Sequence, residues 1–392
     1  MKKTTILLFT LLVLEQIQGQ NDQEITFKDY HLEYAIRSYM DWPTGPITQQ
    51  DMSELTRLVA ANRSIENLDG LQYALNLESL YLDNNQISDL SPLANLNSLE
   101  SLSLNGNNIE DVAPLSGLTL LKKLAMDRNK ITQIDPLNRL NELEGITFNF
   151  NQISDISVVR NWINLTHFNV AFNKLEDLSP LEELTNLYGI WIPENNVSDI
   201  SMLRNLKNLH ILILENNPIE NIDVLSEFEE LVQLNLMNTK ITDFSPISQL
   251  KKVGLLVLRG NRISDLSFLE DMRGVEWLDL RENQINDISS ISGLSRLRKL
   301  FLSGNGLSSL SPLANLSSLQ WIHLDDLTLN LWPLSHRESL TDLTFQKVKS
   351  DDADFSQSNE FVIRKLLGYG TEVAKTDLVQ TSIFSQYPSR IE

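Results

Sequence analysis

The chain has 392 residues, of which 42% are hydrophobic and 21% charged, the proportions of a globular protein rather than a disordered one. Its 32 Lys and Arg against 52 Asp and Glu leave a net charge of −20, which argues against nucleic-acid phosphates and anionic membrane surfaces as partners. The absence of cysteine excludes disulfides, thiolate catalysis, Cys-based zinc sites and a lipid anchor on an N-terminal Cys.

Residues 1–19 read as a secretory signal. Lys2 and Lys3 supply the positive start, Ile6–Leu14 the short apolar run, and Gly19 a small residue before a cut. The run is too short for a permanent membrane helix, and no later stretch reaches ~18 uninterrupted apolar residues. The expected destination is secreted, periplasmic or cell-surface.

Residues 20–54 predict a helical N-terminal cap. Leu32, Ala35, Ile36, Tyr39 and Met40 recur at helical spacing, and Trp42-Pro43 stops the run. Thr48 opens a second helix, with Asp51 in its first turn and Met52, Leu55 and Leu58 facing inward.

Residues 55–340 read as a repeat array with a period of 22, opening on an atypical unit at Leu55, Leu58, Ala60 and Ile65. Leu77, Leu80, Leu82, Asn85, Ile87 and Asp89 become Leu99, Leu102, Leu104, Asn107, Ile109 and Asp111, and the phase holds as far as Leu319, Ile322 and Leu324. The Asn position fails in only two of twelve units, at Thr239 and Leu327. The Leu-x-x-Leu-x-Leu run suits a short parallel strand whose leucines point inward. An Asn after the strand both donates and accepts hydrogen bonds, so stacked Asn residues can satisfy turn backbone that is cut off from water. On the return limb Ser91-Pro92, Asp135-Pro136 and Ser179-Pro180 read as the N-cap and first turn of a short, 3₁₀-type helix. The recurring Asp89-type carboxylate reads as a turn or cap group. One carboxylate per unit falls far short of the roughly 6–8 oxygens that calcium takes.

These residues resemble the leucine-rich repeat family, specifically the 22-residue class found in bacterial internalins. The resemblance implies an α/β solenoid: a horseshoe with a concave parallel sheet, a convex side of short 3₁₀ turns and a helical N-terminal cap. Residues 341–392 are expected to cap the other end. There the phase slips by one residue (Leu340, Leu343, Phe345), and Val362, Ile363, Leu366 and Leu367 suggest a helix stopped by Gly368.

No catalytic or cofactor motif is present, and His167, His210 and His323 fall in three different units. The informative positions flank the second consensus Leu, where strand alternation turns side chains outward. Before it, from the fifth to the twelfth unit, stand His167, Gly189, Ile211, Gln233, Leu255, Trp277, Lys299 and Trp321. After it stand Asn169, Trp191, Ile213, Asn235, Val257, Asp279, Phe301 and His323. Earlier units are mostly polar at both places. The expected ligand face is therefore Trp191, Ile211, Ile213, Leu255, Val257, Trp277, Phe301 and Trp321, flanked by Tyr188 and Met237, with Arg259, Arg262, Arg281 and Arg298 as a rim. Large apolar patches and exposed aromatics mark binding surfaces. Cross-strand stacking is the structural alternative. The pattern points to a secreted, non-enzymatic recognition protein with a protein ligand and no cofactor. A glycan ligand is the second reading, and an intracellular scaffold resembling phosphatase regulators the third.

Overall fold

The computed structural model describes residues 23–326, 330–335, 339–347 and 372–375. The expected signal peptide and the expected helix over 359–370 lie outside these residues. The chain divides into two compact units, residues 1–175 and 176–392, with the boundary inside the repeat array.

The first unit opens with helix α1 (Tyr30–Met40), which buries Leu32, Ala35 and Ile36 and leaves Tyr39 exposed. Asp41, left-handed at φ 53°, ends it just before Trp42-Pro43. Asp29 caps its start and does more. One carboxylate oxygen accepts from His31 and Leu32 N–H, and the other from Glu66 and Asn67 N–H at 2.7 and 3.0 Å. One side chain thus ties the cap to the first repeat. Burial pulls its pKa upward, but the four N–H donors outweigh that and hold it below the ordinary carboxylate value. Helix α2 is shorter than expected, Gln49–Ser53, with a capping box between Thr48 and Asp51. Leu58 is not on this helix. It is the buried centre of strand β1 (Arg57–Val59).

Strands β2 (Ser79–Tyr81), β3 (Ser101–Ser103), β4 (Lys123–Ala125), β5 (Gly145–Thr147) and β6 (His167–Asn169) follow, each parallel to the one before in a 22-residue register. Every strand puts one consensus apolar residue inward, and Leu77, Leu80, Leu82 and Ile87 are fully buried. The Asn residues form the expected ladder. Asn107 Oδ1 accepts from Ile87 N–H of the preceding unit at 3.0 Å, while its Nδ2 donates to Leu82 and Leu104 carbonyls at 3.1 and 3.0 Å. A second ladder, which the repeat pattern does not announce, runs beside it. Side-chain oxygens of Asp83, Asn105, Asp127 and Asn149 each accept the next unit's N–H, ending at Ala171.

The residue before each ladder Asn is left-handed. Asn84 and Gly106 suit that conformation, but Arg128, Phe150 and Phe172 occupy it too, at φ 55°, 56° and 54°. The two Phe rings stack at 4.2 Å, and the Arg128 guanidinium lies 4.2 Å from the Phe150 ring centre, recovering part of the backbone cost.

The short helical turns are 3₁₀, as at Ser91–Leu93, but their capping differs from expectation. Ser91 is the first turn residue and not the cap. The capping side chain is Asp89, which accepts from Ser91 N–H at 2.8 Å and from its hydroxyl at 2.6 Å. Asp111, Asp155, Asp177, Asp199, Asp243, Asp265 and Asp287 repeat the bond to backbone N–H. The periodic carboxylates are occupied by this turn.

The second unit carries β7 (Gly189–Trp191), β8 (Ile211–Ile213), β9 (Gln233–Asn235), β10 (Leu255–Val257), β11 (Trp277–Asp279), β12 (Lys299–Phe301), β13 (Trp321–Asp326) and β14 (Asp342–Lys347), again consecutive and parallel. The expected phase slip is visible as the 21-residue pairing of Trp321 with Asp342. A further strand, β15 (Glu372–Lys375), pairs with β14 and has no counterpart in the expected elements. At Thr239 the ladder changes hands. Thr239 N–H and hydroxyl both donate to Asn261 Oδ1, at 2.9 and 2.7 Å. A groove of about 1060 Å³, lined by Lys240, Phe244, Arg262 and Phe268 among others, runs along these two repeats.

Candidate ligand-binding face

The candidate residues all belong to the second unit, where the 22-residue register turns two rows of side chains away from the repeat interior. Trp191 points outward, and its register partner on β8 is Ile213. Its indole lies back along its own strand. A Cβ placed on Gly189 would sit 2.2 Å from the ring's Cη2. Gly189 is therefore the seat of the ring, rather than open space beside it. Tyr188, 36% exposed, stacks on His210 at 4.4 Å with 17° between planes. By sequence alone His210 passes for a solvated side chain; its 22-residue offset from Tyr188 is the signal that could have found it.

Ile211 and Leu255 are half-buried and remain on the face. Ile213 and Val257 do not offer the same surface, being 6% and 1% exposed. Both are short β-branched side chains with a neighbour on either side along the sheet, so they form its floor. Met237 is half-buried, and its N–H bonds Asn235 Oδ1 at 2.9 Å.

Trp277, Phe301 and Trp321 form one cluster. Trp277 stacks on Phe301 at 5.7 Å, and Phe301 tilts against Trp321 at 6.0 Å. Diagonal neighbours on adjacent strands are within reach of aromatic side chains, which register partners alone do not reveal. Lys299 lies between the two indoles, its ammonium 4.2 Å from the Trp277 ring centre and 5.0 Å from that of Trp321. In the sequence Lys299 merely interrupts the apolar row, so it is absent from the expected face.

The expected arginine rim is largely engaged within the molecule. Arg281 makes a buried, bidentate pair with Asp279 and lies 5.1 Å from the Phe301 ring centre. Arg259 pairs with Glu282, and Arg298 approaches Glu276 at 3.8 Å. Arg262 lines the groove described above. Beside the face lies Glu215, 8% exposed, which accepts from Asn235 Nδ2 at 2.6 Å. Burial, reinforced by Glu194 and opposed by Asn235 and Arg259, pushes its carboxyl up to about 7. Among the described residues, no group of three or more His, Asp and Glu side chains is placed to hold a metal ion. No described helix is long and apolar enough to cross a membrane.

Family models of leucine-rich repeats match residues 251–307, 97–139 and 76–96. No curated protein sequence matches significantly. Among solved structures, an internalin (InlF) from Listeria monocytogenes is 32% identical, with a TM-score of 0.76 over 80% of this chain and 94% of its own. Internalin C2 from the same species is 31% identical, with a TM-score of 0.50 over 59% of this chain and 94% of its own. A leucine-rich repeat protein of Leptospira interrogans shares the fold at 21% identity, with a TM-score of 0.65 over 83% of this chain and 97% of its own. With a fixed 22-residue register, an Asn ladder, 3₁₀ return turns and an internalin matched over nearly its whole length, this chain belongs to the internalin class of leucine-rich repeat proteins.

Proposed function

We propose that the protein is an exported, non-enzymatic recognition protein that captures a protein ligand on the outward sheet face of residues 176–392. The observation that carries this reading is the run of half-buried Trp191, Ile211, Leu255, Trp277, Phe301 and Trp321 on β7, β8 and β10–β13, interrupted only by the polar β9. Rings and branched aliphatics on rigid, hydrogen-bonded strands bury area at small entropic cost, which is how a preformed surface gains affinity. The charges at Arg281, Arg259 and Arg298 beside that surface are paired within the molecule, which leaves the rings and aliphatic side chains as its contact groups. The internalin relationship supports a binding role, and the Lys2–Gly19 pattern supports export.

The test is affinity capture from the natural surroundings with the intact chain and with Trp191→Ala/Trp277→Ala. Loss of the captured protein, with an unchanged circular dichroism spectrum and melting profile, is the expected result. Equal capture by the double variant would exclude this face, and capture of a glycan in place of a protein would exclude the ligand class.

A further inference from the structure

The aromatic cluster of β11–β13 holds more hydrogen-bond donors than it has acceptors. Lys299 has no carboxylate within ion-pair distance among the described residues, although the protein carries 52 acidic side chains. Its ammonium lies over the two indole faces. The Nε1–H groups of Trp277 and Trp321 are buried with no hydrogen-bond partner among the described residues. A buried N–H left unpaired carries the cost of its lost hydration, and native structures rarely retain one without cause. Two such donors flank one unpaired cation. Nearby acids do not relieve them: Asp279 is taken by Arg281, Glu276 by Arg298, and Asp342 accepts from the Thr341 hydroxyl.

We propose that the Trp277–Lys299–Trp321 triplet is a receptor for a carboxylate, supplied by an Asp or Glu side chain of the protein ligand. This rests on the proposed binding face and names the chemistry its partner must carry there. The incoming carboxylate pairs with the Lys299 ammonium, draws the indole N–H groups onto its oxygens, and places its own stem against Phe301. A charge-assisted bond of this kind is stronger than a neutral one and gains further as the aromatic walls exclude water. The net charge of −20 disfavours acidic peptides over the surface at large. An acidic ligand that binds must therefore find a local cation, and Lys299, without an ion-pair partner among the described residues, stands beside two unfilled donors.

The six tryptophans give a sparse indole spectrum in protein labelled with ¹⁵N-Trp, assignable with single Trp→Phe variants. Titration with an oligo-glutamate peptide should move the Trp277 and Trp321 indole N–H resonances downfield and leave that of Trp162, bonded to the Leu137 carbonyl, in place. Lys299→Met should weaken the response about tenfold or more. An oligo-lysine peptide should produce no shift at these two signals. The proposal is overturned if the two resonances stay fixed, or if they move equally in Lys299→Met. It is also overturned if a sulfated oligosaccharide moves them more strongly than the glutamate peptide. None of these results depends on identifying the natural ligand, so failure here leaves the capture experiment as a separate test of the face.

Discussion

Asn217 is the rung beneath the face, linking the turn after β7 to the turn after β8. It is 1% exposed. Its Oδ1 accepts from Val197 N–H at 3.0 Å, and its Nδ2 donates to the Ile192, Leu214 and Glu215 carbonyls at 2.8, 3.0 and 3.3 Å. Asn217→Ala removes all four bonds and strands the Val197 N–H and the Leu214 carbonyl in a dry interior, while the Ile192 carbonyl keeps its bond from Asn195 Nδ2 at 3.1 Å. At ~1–3 kcal/mol for each of the two buried groups left unpaired, with partial relaxation of the turn, the loss is about 2–4 kcal/mol. That is a large share of the ~5–15 kcal/mol typical of a folded domain. In a repeat array the damage should concentrate between neighbouring units. Urea unfolding should show a lower midpoint, and hydrogen exchange should accelerate most at the Val197 amide. The neighbouring Asn216, already at φ 55° and exposed in its bond to Glu194, provides the control. Asn216→Gly should change stability by less than about 0.5 kcal/mol. A loss below about 1 kcal/mol for Asn217→Ala would refute the view that the ladder holds the units together.

Gly189→Ala places a methyl group where the Trp191 ring lies, so the indole must swing out. Acrylamide quenching of Trp191 should rise with no change in the far-ultraviolet spectrum; unchanged quenching would show that the ring does not rest on Gly189. Glu215 sets a pH dependence. Its carboxyl titrates near 4.5 when unfolded and at about 7 when folded, so the folded chain keeps a proton that the unfolded chain releases. The stabilisation is full below pH 4.5 and is lost as the pH rises to about 7, by roughly 3 kcal/mol. Glu215→Gln should flatten that slope in urea titrations across this range, and an unaltered slope would reassign it. Asp29 behaves oppositely: its lowered pKa stabilises the fold above the ordinary value of 3.8, and that stabilisation is lost as the pH falls below it. Asp29→Ala should cost about 2 kcal/mol at neutral pH, with the gap to the parent protein closing in acid melts.

The repeat phase is legible because every unit uses its apolar residues for the same task. A period of 22 fixes which side of each strand a residue takes, which is why Trp191 can be assigned outward. The period says nothing about what an outward side chain does next. The Trp191 ring folds over Gly189 through its own side-chain torsions. Ile213 and Val257 share the outward phase but are too short to rise above their neighbours. Lys299 reads as a break in an apolar row, since the diagonal geometry that brings two indoles to it is not written in the register. Charge pairing is equally hidden. Asp279 and Arg281 are two residues apart on an extended segment, and only the structure shows them closing on each other. The capping role of Asp89 is half visible: the carboxylate reads as a turn group, but Ser91 looks like the cap. Strand β15 lacks the repeat motif altogether, so nothing in the 22-residue pattern could place it.

The most direct test of the account is side-chain footprinting by hydroxyl radicals on the protein alone and with its captured ligand. Trp191, Trp277, Phe301 and Trp321 should lose reactivity in the complex, while the exposed Phe150 and Phe172 pair retains it. Protection falling on the 3₁₀ turns or on the groove lined by Phe244 and Phe268, with the four rings unchanged, would contradict the claim that the outward sheet face is the binding surface.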